Sequence, residues 1–136
     1  MAEEPEWIAY RGTALVLEWV RSARNEMPAR DFFMGLDEAI RAKAFALFRL
    51  LGDRGRISNR EKFKSLGARG LHLWEFKPTK QVRLIGDFRP SGRFLLSWGA
   101  VKKKGDLNPQ DIEKAERLLK QRDFIEGQQR EKPATK

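Results

Sequence analysis

The chain contains no cysteine, one histidine (His72) and one tyrosine (Tyr10). Lack of cysteine excludes disulfides and thiolate metal sites, and it is compatible with a reducing compartment. No HExxH motif or glycine-rich phosphate loop is present, so neither a metal nor a nucleotide cofactor is indicated. No apolar run approaches the roughly 20 residues that cross a bilayer, so no membrane partner is expected. Residues 1–6 are acidic and lack the basic start and apolar stretch of a secretory signal. The expected location is the cytoplasm.

What is present is a folded chain with a strong positive field. The 136 residues are 40% hydrophobic, with nine Phe and four Trp, enough for one domain around one core. Net charge is +9, and it is unevenly spread. Residues 54–104 carry 14 Lys or Arg against only Glu61, Glu75 and Asp87, for +11, whereas the rest of the chain sums to −2. A field concentrated in one stretch suits nucleic acid or ribosome contact, with a generic solubilising surface as the alternative.

Three segments between Leu71 and Trp98 alternate apolar and polar residues, the pattern of strands with one buried face. His72, Trp74 and Phe76 share one side, opposite Leu73, Glu75 and Lys77. Val82, Leu84 and Phe88 oppose Arg83, Ile85 and Asp87; Phe94, Leu96 and Trp98 oppose Arg93, Leu95 and Ser97. Turns at Pro78-Thr79 and Pro90-Ser91-Gly92 make the three an antiparallel meander. The alternation places His72 in the core, and core packing is also expected for Trp7, Trp19, Trp74 and Trp98. Upstream, residues 6–11 read as a strand and residues 14–24 as a helix capped by Thr13, with Leu15, Val16, Trp19 and Val20 as its stripe. A short helical piece starts at Pro28. A longer helix follows Asp37, carries Ile40, Ala44, Leu47, Phe48 and Leu51, and ends at Gly52 or Gly55. Residues 53–69 read as a basic connection. The last helix begins at Asn108-Pro109 and buries Ile112, Ala115, Leu118 and Leu119. The expectation is an α+β domain over residues 1–125, with N-terminal helices on the aromatic face of an antiparallel sheet and a C-terminal helix. The basic face is expected to stay open, and residues 126–136 to form a polar, disordered tail.

Phe63-Lys64-Ser65-Leu66, followed by the run from Gly70 to Lys77, resembles the "K-x-L … gLyELR" segment of RelE/ParE-type toxins, closest to the HigB branch of small phage-related proteins. Val82-Arg83-Leu84 resembles that family's "yRi" strand. Ala100 to Lys104, with Asn108 to Ala115, resembles its "f-x-KK … tP-x-eI-x-x-A" ending. The resemblance spans residues 28–119 and implies a RelE-like fold. It also implies the toxin of a type II toxin–antitoxin system that cleaves mRNA on the ribosome and is blocked by a cognate antitoxin protein. Gyrase poisoning, as in the ParE branch, and a non-catalytic RNA-binding or phage-associated module are the alternatives.

RNA is cut without a metal when its 2′-hydroxyl attacks the neighbouring phosphate. The site must accept a proton, stabilise an anionic phosphorane and protonate the leaving oxygen. Lys77 and Arg83 match the family's basic strand positions, and Lys102 and Lys103 its basic pair after the last strand. Glu75 is a further candidate base. Lys64, Arg69, Arg93 and Lys104 extend the surface as nucleic-acid contacts. Some relatives use a C-terminal tyrosine or histidines, but here the only such residues are Tyr10 and His72. Catalysis would then rest on Lys, Arg and Glu, or be weak or absent.

Overall fold

A computed structural model describes residues 4–67, 72–103 and 107–131. The elements run β1 (Ile8–Arg11), β2 (Val16–Trp19), α1 (Pro28–Met34), α2 (Glu38–Arg54), β3 (Phe63–Ser65), β4 (Trp74–Phe76), β5 (Val82–Arg89), β6 (Arg93–Val101) and α3 (Pro109–Glu131). The strands form one six-stranded sheet in the order β1-β2-β6-β5-β4-β3. The β4-β5-β6 meander is antiparallel, as its short turns require. β2 pairs with β6 in parallel, so the sheet is mixed and not wholly antiparallel.

The expected helix at residues 14–24 is instead strand β2. Its run Val16-Leu17-Glu18-Trp19-Val20 sits second from the edge and is buried on both faces, which erases the period-two alternation that marks a one-sided strand. Leu17 and Trp19 enter the core under α1 and α2, while Val20 enters the opposite core. Thr13 caps no helix; its hydroxyl donates to the Asp53 carbonyl at 2.9 Å and ties the strand entry to the end of α2. α2 ends at Gly55, whose φ of 80° gives a left-handed cap and whose N–H donates to Leu51.

α1 and α2 cover the aromatic face. Phe48, Phe76 and Phe94 are fully buried there, with the Phe48 and Phe76 rings 5.1 Å apart and edge-to-face. The other face was expected to stay open. It is covered by α3, which packs Ile112, Ala115 and Leu119 on Leu73, Ile85 and Leu95. α3 starts as its sequence dictates, with Asn108 Oδ1 accepting from the Gln110 N–H at 2.8 Å. It runs on to Glu131, past the expected boundary at residue 125, and Glu126 in this stretch binds Arg93 of β6.

Two expectations on the sheet fail locally. A β-bulge interrupts the β5-β6 register: Ile85 faces Trp98, Gly86 faces Leu96, and Ser97 has no partner. Beyond the bulge the phase of β6 inverts. Trp98 turns to the α3 side, away from Phe94 and Leu96. His72 precedes β4 in a turn with φ 61° and is exposed, so it is not a core histidine. At the bulge Gly86 lies so close to the Leu95 carbonyl that a methyl group could not fit without moving backbone. Gly86→Ala should therefore cost about 1–3 kcal/mol or more, read as a lower urea midpoint with an unchanged slope.

Candidate functional site

At one end of the sheet β4 stops, β5 starts and β6 stops. Backbone bonds lock these ends together: Lys77 N–H donates to the Lys62 carbonyl at 2.8 Å, and Lys102 N–H to the Gln81 carbonyl at 2.7 Å. Between them lies a cleft of about 630 Å³ lined by five lysines (Lys62, Lys77, Lys80, Lys102 and Lys103), Arg83, and one acid, Glu61. Thr79 shapes its rim, its hydroxyl accepting from the N–H groups of Gln81 and Val82.

The structure thus brings Lys77, Arg83, Lys102 and Lys103 together. Lys62, Lys80 and Glu61 also line the cleft, and the sequence reading missed them. β3 was hidden inside what looked like a basic connection, so nothing marked Lys62 as the neighbour of a strand end. Lys64, on β3 opposite Glu75, is close enough to act electrostatically on Lys77. Arg69 and Lys104 lie outside the described residues.

Arg83 and Glu75 were expected on an open face and are not. Each is only 3% exposed. Arg83 Nε lies 3.0 Å from Glu75 Oε1, and Arg83 Nη1 donates to the carbonyls of Thr79 and Val82 at 3.0 and 3.2 Å. Arg83 therefore braces the rim turn and neutralises Glu75. The Glu75 carboxylate is closed off from solvent and poorly placed to take a proton from a substrate. Burial pulls Arg83 below its ordinary pKa, against the opposing pull of Glu75.

Arg93 was expected to contact nucleic acid, but it sits at the far end of β6. Its guanidinium binds both oxygens of Glu18 at 2.9 and 3.0 Å, and Glu126 at 2.9 and 3.2 Å. These bonds, that to Glu18 foremost, raise its pKa. It clamps β2 and α3 onto β6 and is not part of the lysine cleft. His72 lies at the opposite end of β4 from Lys77.

Lys77 is the chemically distinctive member. Its pKa is lowered, first by burial and then by the positive charges of Lys64, Arg83 and Lys102, with Glu75 opposing. A crowded, partly desolvated ammonium gives up its proton more readily than a surface lysine does. The arrangement gathers positive charge suited to a polyanion around one lysine whose pKa is drawn below the ordinary value.

The family model described as Phage derived protein Gp49-like (DUF891) matches residues 31–120, which include every residue of this cleft. The chain belongs to this phage-derived family, a RelE/toxin-like one. No curated protein matches it. Among the described residues no helix is long and apolar enough to cross a membrane.

The Glu75–Arg83 pair makes a stability prediction. Arg83→Met strands a buried carboxylate and should cost about 3–5 kcal/mol, whereas Glu75→Leu combined with Arg83→Met should recover most of it. Urea unfolding of both variants measures the difference; an Arg83→Met protein as stable as the parent would show that the pair is not buried in solution.

Proposed function

We propose that this protein is the toxin of a type II toxin–antitoxin pair, built on a RelE-like scaffold, and that it cleaves mRNA on the ribosome without a metal. The observation that carries the reading is the cleft itself, in which Lys77 sits among four other lysines and Arg83, with its pKa lowered by burial and by neighbouring positive charges. In this mechanism neutral Lys77 takes the proton of a ribose 2′-hydroxyl. The 2′-oxygen attacks the adjacent phosphorus, and the bond to the 5′-oxygen breaks. Lys102 and Lys103 stabilise the charge of the phosphorane, and one of them delivers a proton to the leaving 5′-oxygen. The products are a 2′,3′-cyclic phosphate and a 5′-hydroxyl. Arg83 acts through its neighbours, holding the rim turn and depressing Lys77. Lys64 adds attraction for the RNA backbone. The family membership supports an antitoxin partner, and a protein that works on ribosomes would act in the cytoplasm.

Brief induction followed by primer extension on mRNA tests the reading. The parent should produce discrete 5′ ends; growth arrest without them would set the nuclease aside in favour of gyrase poisoning or a non-catalytic role. Lys77→Met should lower cleavage by about a hundredfold or more. It should not lower the melting temperature, because it removes a desolvated cation repelled by its neighbours. The pH dependence follows the same logic. The base is the neutral amine, so cleavage should rise with pH through the lowered pKa of Lys77, at a pH below the ordinary lysine value of 10.5. Folding disfavours the ammonium form, so its stability penalty is fully present below the folded pKa and fades as pH rises toward the unfolded one. A Lys77→Arg protein, which cannot lose its proton, should bind RNA and show no such rise.

A further inference from the structure

The bulge at Ser97 gives Trp98 a position that none of the other tryptophans has. It is half-buried and lines a second cleft, of about 380 Å³, between α3 and the loop that follows β2. We propose that this cleft is a stacking subsite for a base of single-stranded RNA. The proposal rests on the RNA-directed reading above and adds to it a second place where the strand is held.

The indole is held in a fixed orientation. Its Nε1–H donates to Asp111 Oδ1 at 2.9 Å. The ammonium of Lys114 lies over the ring, 5.1 Å from its centroid. Lys114 is exposed, so it can swing aside and leave a flat π surface while its charge stays at the rim. Arg24 and Arg117 complete that rim; Glu26 is the one carboxylate in the lining, Glu113 lies 3.6 Å from Arg117 at the exposed edge, and Leu118 supplies an apolar wall. A flat aromatic surface beside three cations fits a ligand that is itself flat, aromatic and anionic, which describes a nucleotide. An acidic peptide would use the cations and leave the indole without a role.

The position relative to the first cleft points the same way. Lys102 and Lys103 line the lysine cleft and also a recess beside it that includes Asp111. Asp111 is the residue that holds Trp98. Along β6, Trp98 is two positions from Ala100, which pairs with Arg83; two strand residues on one face lie about 7 Å apart. An RNA strand with one phosphate in the lysine cleft would thus pass Trp98 within a few nucleotides.

The test is binding of a short fluorescein-labelled single-stranded RNA with 2′-O-methyl riboses, which cannot be cut, followed by anisotropy at low salt. Trp98→Leu should weaken binding about tenfold or more, and Trp98→Phe should restore most of the loss, since it keeps a stacking surface. Lys114→Glu with Arg117→Glu should weaken binding and flatten its salt dependence. Parent-like affinity in a Trp98→Leu protein of unchanged melting temperature overturns the proposal. Should that variant melt early, the exposed double charge reversal decides, and unchanged affinity in it overturns the proposal as well. So does a parent that fails to bind the RNA, or one whose affinity for polyglutamate matches that for RNA and falls equally in the double variant. The readout does not involve cleavage. RNA held through Trp98 by a chain that never cuts mRNA would overturn the nuclease reading alone, and mRNA cleavage with Trp98-independent binding would overturn this proposal alone.

Discussion

Strand β6 must serve two apolar cores at once, and most of the structure follows from how it does so. It lies between a parallel and an antiparallel neighbour, with α1 and α2 on one face and α3 on the other. A regular strand would keep one set of side chains on each face from end to end. The bulge between Ile85 and Gly86 breaks that rule. Before it, Phe94 and Leu96 fill the aromatic core. After it, Trp98 and Ala100 face α3, and Gly99 takes the aromatic side, where the Phe32 ring leaves no room for a side chain. That change of phase sets the Trp98 cleft, the seat of α3 and the face on which Ala100 meets Arg83.

Charge is sorted along the same strand. At the start of β6, cations are matched: Arg93 holds Glu18 and Glu126, and Arg89, its partner across the β5-β6 turn, holds Asp87 and Asp123. Arg122 adds a further ion pair, its Nε 3.3 Å from a Glu126 carboxylate oxygen. At the end of β6 five lysines share a cleft with one glutamate. The matched end fixes α3 against the sheet. The unmatched end repels itself, which disfavours folding slightly and favours any polyanion that enters. Within the +11 carried by residues 54–104, Arg89 and Arg93 are therefore structural clamps, while Lys62, Lys77, Lys80, Lys102 and Lys103 gather in the cleft.

Legibility in the sequence tracked how many faces an element buries. The meander, α1, α2 and the start of α3 were readable because each shows a clean period or an unambiguous terminator, as at Asn108 and Gly55. β2 was unreadable as a strand because its two buried faces leave five nearly continuous apolar positions, which fit a helical stripe equally well. The open basic face was misjudged for a related reason. Leu73, Ile85 and Leu95 sat among the "polar" positions, and their agreement across three strands was the signal that something apolar had to cover them. Of the site residues, Lys77, Lys102 and Lys103 converge as their strand positions imply. Arg83 and Glu75 occupy the right place with a different job, since strand phase alone does not show that two opposite charges on neighbouring strands will bury each other.

The choice between arginine and lysine separates scaffold from site. Among the described residues every ion pair is built on an arginine, and the cleft is lined by lysines with Arg83 alone turned inward to a carboxylate. Each residue suits its task. A guanidinium stays charged, offers a planar fork and binds a carboxylate through two bonds at once, as Arg93 does twice. It makes a durable clamp and a poor base. An ammonium is a compact charge whose proton is held less tightly when burial and like charges crowd it, as they crowd Lys77. Replacing the cleft lysines with arginines would preserve the positive field and the attraction for phosphate, yet remove the one lysine in the cleft whose proton its surroundings loosen.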